Sequence, residues 1–189
     1  MNIKSPAAKS LADTTACYDP PTIELHWVTA VLVVMQWSGA MLMHLIDERP
    51  IRMIYWNFHF SFGLLLFFVI VARLWWRRFG GRVLSPVGSD ALRFASRAIH
   101  IVLYLLVLVL IALGFAIILL RGWPLAGLFT ISPIVLGFKP LSSTLIEVHK
   151  WTAHLLMAVA FGHAVIALFH HFVIKDGMLL RMVGRVGRV

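Results

Sequence analysis

The sequence predicts an all-α integral membrane protein, a four-helix up-down bundle with both termini cytoplasmic, and three observations carry that prediction. The 189 residues are 60% hydrophobic with a mean hydropathy of +0.88, well above the roughly 45–50% apolar content of soluble domains. Four apolar runs, at residues 23–45, 53–76, 98–120 and 144–174, each reach the ~20 residues a helix needs to cross a bilayer. Lys and Arg fall unevenly on the polar segments between the runs, and cytoplasmic flanks are the ones enriched in them.

The elements follow in order. Residues 1–22 hold Lys4, Lys9, Asp13 and Asp19 with Pro6, Pro20 and Pro21, and this polar, proline-broken stretch reads as a flexible cytoplasmic tail. The first apolar run is too long, and its flanks wrong, for a cleaved signal, so it is expected to remain as the first span. Asp47, Glu48, Arg49 and Pro50 separate it from the second. Phe79-Gly80-Gly81 and Ser85-Pro86 end the second, and the stretch from Gly122-Trp123-Pro124 to Pro140 divides the third from the fourth, Gly and Pro being the strongest breakers. The membrane domain therefore covers residues 23–176, and a basic cytoplasmic tail covers 177–189. No internal repeat or low-complexity tract interrupts it.

The segment between the second and third spans holds Arg73, Arg77, Arg78, Arg82, Arg93 and Arg97, and Lys175, Arg181, Arg185 and Arg188 follow the fourth. The opposite side has Arg49, Arg52, Arg121, Lys139 and Lys150. This asymmetry, together with attraction to anionic membrane lipid, accounts for most of the formal charge of +9. A nucleic-acid partner is not needed to explain it, because the basic residues flank spans and form no soluble face. The single Cys17 excludes a disulfide framework, a CxxC redox pair and a CxxCH haem attachment, so any haem would be held non-covalently.

Histidines inside apolar spans carry the chemistry. His26 lies at the start of the first span and His59 at the start of the second; His149 starts the fourth, with His163 further along it. Fourteen residues of helix advance by ~21 Å and return to within ~40° of the starting direction, so His149 and His163 share a face at two depths. In an up-down bundle the starts of the second and fourth spans meet outside, and the start of the first meets the end of the fourth inside. Two cross-helix pairs result, His59 with His149 and His26 with His163, each suited to ligating one iron axially in a bundle core. The inner depths agree only if the first helix begins early or the fourth projects beyond the bilayer; His170, His171 and Lys175 suit a wet helix end and favour the second.

Arg73 follows His59 by the same 14 residues, which places it near the inner pair, either against haem propionates or as an interfacial snorkelling arginine. Gly63, Ala30, Ala153 and Gly162 beside the histidines would admit a flat macrocycle, or equally a close helix contact. His154 projects ~140° from His149 with no obvious partner. His44 and His171 read as interfacial, the tryptophans as an aromatic belt and the methionines as packing.

These residues resemble a known family. The four spans, Ile23-Glu24-Leu25-His26-Trp27, His59-Phe60-Ser61-Phe62-Gly63, Arg121-Gly122-Trp123-Pro124, and the His149/His163 spacing followed by His170-His171-Phe172-Val173-Ile174-Lys175-Asp176 are similar to the bacterial cytochrome b561 family. These are di-haem b membrane cytochromes that include the membrane-bound superoxide oxidase, and their helix arrangement is shared by b-type subunits of hydrogenases and formate dehydrogenases. The resemblance covers nearly all of the chain after residue 20. It implies that His26, His59, His149 and His163 occupy the four ligand positions of two haem b groups. His100 matches a recurrent family histidine whose role stays open: a propionate or quinone partner, an interface residue, or a ligand replacing His26. His170 lies seven residues after His163, about 20° away in projection, and matches a histidine near the bound quinone of superoxide oxidases.

The expected activity is electron transfer across the bacterial inner membrane, with periplasmic superoxide as donor at the outer haem and ubiquinone as acceptor at the inner. Arg49, Arg52, Arg121, Lys139 and Lys150 would draw the anion to the outer face, or are ordinary loop charges diluted by Asp47, Glu48 and Glu147. The rival reading is a membrane cytochrome b anchor passing electrons between a dehydrogenase or hydrogenase and quinone, with a redox partner protein in place of superoxide. Metal transport is disfavoured because the spans are expected to lack buried Asp or Glu, which commonly mark ion pathways. A homodimer is compatible with all of these.

Overall fold

The computed structural model describes residues 17–43, 45–82, 84, 89–122, 124–125, 129–130 and 139–184. Residues 1–16 of the expected N-terminal tail, His44, Ser85, Pro86, Trp123, and Arg185 and Arg188 of the basic tail lie outside the described residues.

The architecture is all-helical. Four long helices, α1 (Pro20–Met43), α2 (Arg49–Phe79), α3 (Asp90–Arg121) and α4 (Lys139–Phe169), are each long and apolar enough to cross a membrane. Two-residue strands, β1 (Pro124–Leu125) and β2 (Phe129–Thr130), pair antiparallel between α3 and α4, with Pro124 opposite Thr130 and Leu125 opposite Phe129. A π-helical turn, His170–Ile174, continues α4, and a short α5 (Leu180–Val183) follows. Each long helix begins before its apolar stretch. α1 begins at Pro20 rather than residue 23, which moves His26 deeper into its helix, and the π turn carries the fourth span to Ile174. The early start of α1 reduces the depth offset between His26 and His163.

Helix ends are set by local chemistry. Asp19 precedes α1 and accepts from the Thr22 N–H at 3.2 Å and the Thr22 hydroxyl at 2.9 Å, satisfying first-turn donors that have no intrahelical acceptor. α2 has a proline in its first turn, where a missing N–H costs nothing. It ends where the Gly80 and Gly81 N–H groups both return to the Trp76 carbonyl, at 2.9 and 2.6 Å. Ser89 caps α3 by accepting from the Leu92 N–H at 3.4 Å, Asp90 pairs with Arg93 in the next turn, and Gly122 closes the helix in the left-handed region at φ 65°.

α1 packs along α2 and α3 along α4, while contacts between these two hairpins are sparse. A central cluster of Leu32, Val33, Leu66, Ile70, Val107 and Leu156 takes residues from all four helices. Along α2 and α4 this apolar layer lies between the two levels at which histidines occur. Large apolar side chains cover the outside: Phe161 is 71% exposed and Phe94 75%, against 1% for Ile70. Such a surface matches lipid, not water. The end of the bundle nearer His26 is additionally clasped, the Trp27 indole N–H donating to the Met182 carbonyl at 2.9 Å and the Tyr18 N–H to the Arg181 carbonyl at 3.2 Å. α5 is thereby tied to the start of α1.

Candidate functional site: two histidine clusters

At one level the starts of α2 and α4 bring His59 and His149 together. Their ring centroids stand 6.3 Å apart with planes inclined at 68°. Two metal–nitrogen bonds of about 2 Å each, plus the two ring radii, give a centroid separation of about 6 Å, so the spacing suits one axially ligated iron. The Nδ1 of His149 is buried without a hydrogen-bond partner; the Leu110 main chain on α3 approaches at looser range. Gly114 of α3 faces the same ring, where an added Cβ would stand 3.7 Å from Cε1. A cavity of about 280 Å³ between α1 and α2 adjoins His59 and is lined by Gln36, Gly39, Phe58 and Phe62 among others. Among the described residues no group of three His, Cys, Asp or Glu forms an ion site; the geometry is that of two facing imidazoles.

Gln36 was not singled out by the sequence, yet it supports this level directly. Its Nε2–H donates to the His59 carbonyl at 2.8 Å, and Gly63 makes room for it, since a Cβ there would come within 3.2 Å of Nε2. Gly63 thus serves the contact between α1 and α2. Gln36 was recognisable only as the sole amide side chain in the first apolar run.

At the other level all four long helices contribute. Arg73 of α2 donates through Nη2 to the His26 Nδ1 of α1 at 2.8 Å and lies 5.3 Å from the ring centre of Tyr104 on α3. His100 of α3 and His163 of α4 meet with centroids 5.2 Å apart and planes at 74°. The sequence pairs His163 with His26. In the structure His163 has His100 as its ring neighbour, while His26 stands within electrostatic reach of both.

The hydrogen bonds assign ring nitrogens. The His100 Nδ1 lies 2.5 Å from the Ser96 carbonyl and must donate, which leaves its Nε2 as the lone-pair nitrogen. A guanidinium has no acceptor, so the His26 Nδ1 must accept from Arg73, and a neutral His26 then carries its proton on Nε2. As a ligand through Nε2, His26 would need Arg73 to release it. Arg73 has a natural destination: no carboxylate among the described residues pairs with it, and a buried cation in a bundle calls for an anion. The His26 cluster thus fits a haem by its donor set, four imidazole- or cation-bearing helices around one level, and the His59–His149 pair fits by spacing.

His170 lies on the π turn, 9% exposed, its Nδ1 2.6 Å from Asp176 Oδ2. Asp176 was missed as a site residue because nothing in a linear reading folds the chain back on His170. His154 has a partner after all, the Trp37 indole N–H donating to its Nδ1 at 3.1 Å, so it is a satisfied structural histidine between α1 and α4. Of the basic residues on the His59 side, Arg121 donates to Ser142 at 3.1 Å and Lys150 pairs with Glu147 at 2.6 Å.

The family described as prokaryotic cytochrome b561 matches residues 17–185. Among similar proteins, cytochrome b561 homolog 1 of Escherichia coli K12 is 28% identical over 86% of this chain and 94% of its own length. The probable superoxide oxidase CybB of Yersinia pestis is 32% identical over 85% of this chain and 92% of its own. Cytochrome b561 homolog 2 of E. coli K12 is 27% identical, covering 93% and 96%.

Proposed function

The chain belongs to the prokaryotic cytochrome b561 family, multi-pass haem b proteins of the bacterial inner membrane that serve electron transport, and on that premise we propose that it is a di-haem superoxide:ubiquinone oxidoreductase. The 6.3 Å separation of the His59 and His149 rings carries the reading, and the similarity to a probable superoxide oxidase supports the donor. His59 and His149 would hold the outer haem, and His26 and His163 the inner, with His100 a polar partner of the inner group and Arg73 paired to propionates. When bound, the haems supply one-electron transfer between the two faces.

The chain's own residues do the rest. Gln36 fixes the α2 backbone at His59, and Gly114 lies beside the His149 ring. The apolar layer around Ile70 keeps water, and so protons, from passing between the levels. Both termini are cytoplasmic in this reading, so the His26 level and His170 face the cytoplasm. Of the five cations on this side, Arg121 and Lys150 are engaged locally, which leaves Arg49 and Arg52 at the start of α2, with Lys139, to attract a periplasmic anion. Two superoxide anions each lose one electron to become dioxygen; one ubiquinone gains two electrons and two protons to become ubiquinol at the His170 end.

The deciding experiment is a reduced-minus-oxidised absorbance spectrum of the purified protein with pyridine haemochrome quantitation. Two low-spin haems b per chain, reduced by superoxide and reoxidised by ubiquinone, are expected. A colourless protein after haem-sufficient expression would return the histidines to another use, and haems reduced only through a co-purifying subunit would point to an anchor role.

A further inference from the structure

Where the fourth span ends, the backbone departs from α-helix in favour of a single contact. His170–Ile174 form a π turn, and widened turns of this kind gather at functional sites. Lys175 adopts a left-handed φ of 58°, the one non-glycine to do so among the described residues, which for a side chain with a Cβ is a strained choice. The Lys175 and Asp176 N–H groups both return to the His170 carbonyl, at 2.7 and 3.4 Å. This reversal lays Asp176 over His170, with Oδ2 2.6 Å from Nδ1. The second carboxylate oxygen accepts the Met178 N–H at 3.0 Å.

The pair is held away from water, His170 being 9% exposed. Burial alone would raise the Asp176 pKa, yet the hydrogen bonds from His170 and the Met178 N–H, with the His170 charge, hold it below the ordinary carboxylate value. The arrangement is that of a histidine oriented and charge-stabilised by an acid.

We propose that Asp176 is the positioning residue that keeps His170 as a proton donor to the quinone reduced at this end of the bundle, an inference that rests on the quinone reading of His170 above. A carboxylate on Nδ1–H fixes the tautomer and leaves Nε2 as the nitrogen that meets a quinone oxygen. As the quinone gains the two electrons that the haem chemistry supplies, protonated His170 gives its Nε2 proton to the reduced oxygen. The N–H bond breaks, an O–H bond forms, and the Nδ1–H stays on Asp176. Neutral His170 regains a proton from water at the same face, and a second round completes the quinol. An amide at position 176 would still accept the Nδ1–H but would carry no negative charge to face the ring as its proton leaves.

The test uses full-length, haem-loaded protein in proteoliposomes with a short-chain ubiquinone as probe. Stopped-flow reoxidation of the dithionite-reduced protein is read in H₂O and D₂O, and quinone binding is read separately by tryptophan quenching. Asp176→Asn is expected to slow reoxidation by about 10-fold, raise the solvent isotope effect and leave the haem spectrum and quinone Kd unchanged, while Asp176→Glu recovers most of the rate. A wild-type rate in Asp176→Asn beside a slow His170→Ala would overturn the role of Asp176 alone. A His170→Ala protein that binds and reduces quinone like wild type would instead sink the quinone reading. Absence of any solvent isotope effect on the wild-type quinone step overturns the proton donor whether or not a variant folds.

Discussion

Asp19→Asn probes how the His26 end of the bundle is tied together. Asp19 stands just before α1 and reaches α2 and beyond: it accepts the Trp76 indole N–H at 2.5 Å, the Arg82 N–H at 2.8 Å and the Thr22 hydroxyl at 2.9 Å. Burial works to raise its pKa, but the bonds from Arg82, Trp76 and Thr22 outweigh that and hold it at about 2 against an ordinary 3.8. At ~1.4 kcal/mol per pKa unit the gap sets a ceiling of roughly 2.5 kcal/mol. The side chain is only half-buried, and solvent screening brings the expected contribution to about 1 kcal/mol. Because the folded pKa lies below the unfolded one, this stabilisation is complete above pH ~4 and disappears as the pH falls toward 2. The assay is thermal loss of the haem absorbance band in detergent from pH 7 to pH 3. Asp19→Asn should melt about 2–4 °C lower at pH 7, with the difference from wild type shrinking below pH ~4. A wild-type melting temperature at pH 7, or a gap that widens in acid, would refute the reasoning.

Substitutions at three further positions test the two levels and the contact between α1 and α4. His59→Ala removes one side of the 6.3 Å pair and should reduce the pyridine haemochrome yield from two haems per chain to one, whereas an unchanged yield would release His59 from ligand duty. Arg73→Ala should abolish the inner haem's spectrum while leaving the outer one, and Arg73→Lys, which keeps the charge but not the bidentate fork, should retain it with a shifted potential; both spectra and potentials unchanged in Arg73→Ala would return this residue to the interface. Trp37→Phe strips the partner from the His154 Nδ1 and should cost about 1 kcal/mol of stability without altering haem content, so loss of a haem would show His154 to be more than structural.

How far the sequence could be read depended on whether a feature is periodic. The spans were legible because ~20 apolar residues in a row seldom occur outside a membrane helix, and their ends overran the prediction by a few residues because hydropathy does not see Asp19 or Ser89 capping a turn that still lies within the helix. The outer pair was legible because two helix starts at one depth need no rotation angle beyond the histidine's own position. Partners on neighbouring helices were not: Trp37 lies 117 positions before His154, and no spacing rule connects them. Tyr104 was hidden as one aromatic among many, although it follows His100 by one helical turn and so shares its face. Asp176 required a π turn and a left-handed lysine to reach His170, and a sequence gives no warning of either.

The inner level is explained by a register that α2 and α4 share. In α4, 14 residues separate His149 from His163, and in α2 the same 14 separate His59 from Arg73. Both helices start at the same end in an up-down bundle, so equal repeats of about 21 Å keep their faces in step. Where α2 sets His59 opposite His149, it sets Arg73 near His163, and the electrostatic coupling of those two side chains agrees. The second imidazole at that level therefore has to come from a different hairpin strand, α1 or α3, and both supply one, His26 and His100. Arg73 holds the first of these at 2.8 Å, while the second already faces His163. A cation placed where symmetry would have put a ligand gives the two ends different chemistry from one repeated spacing: imidazoles alone at the His59 level, and imidazoles beside a fixed positive charge at the His26 level. The second environment stabilises the more negative state of whatever binds there, which in the proposed function would favour electron transfer from the His59 level to the His26 level.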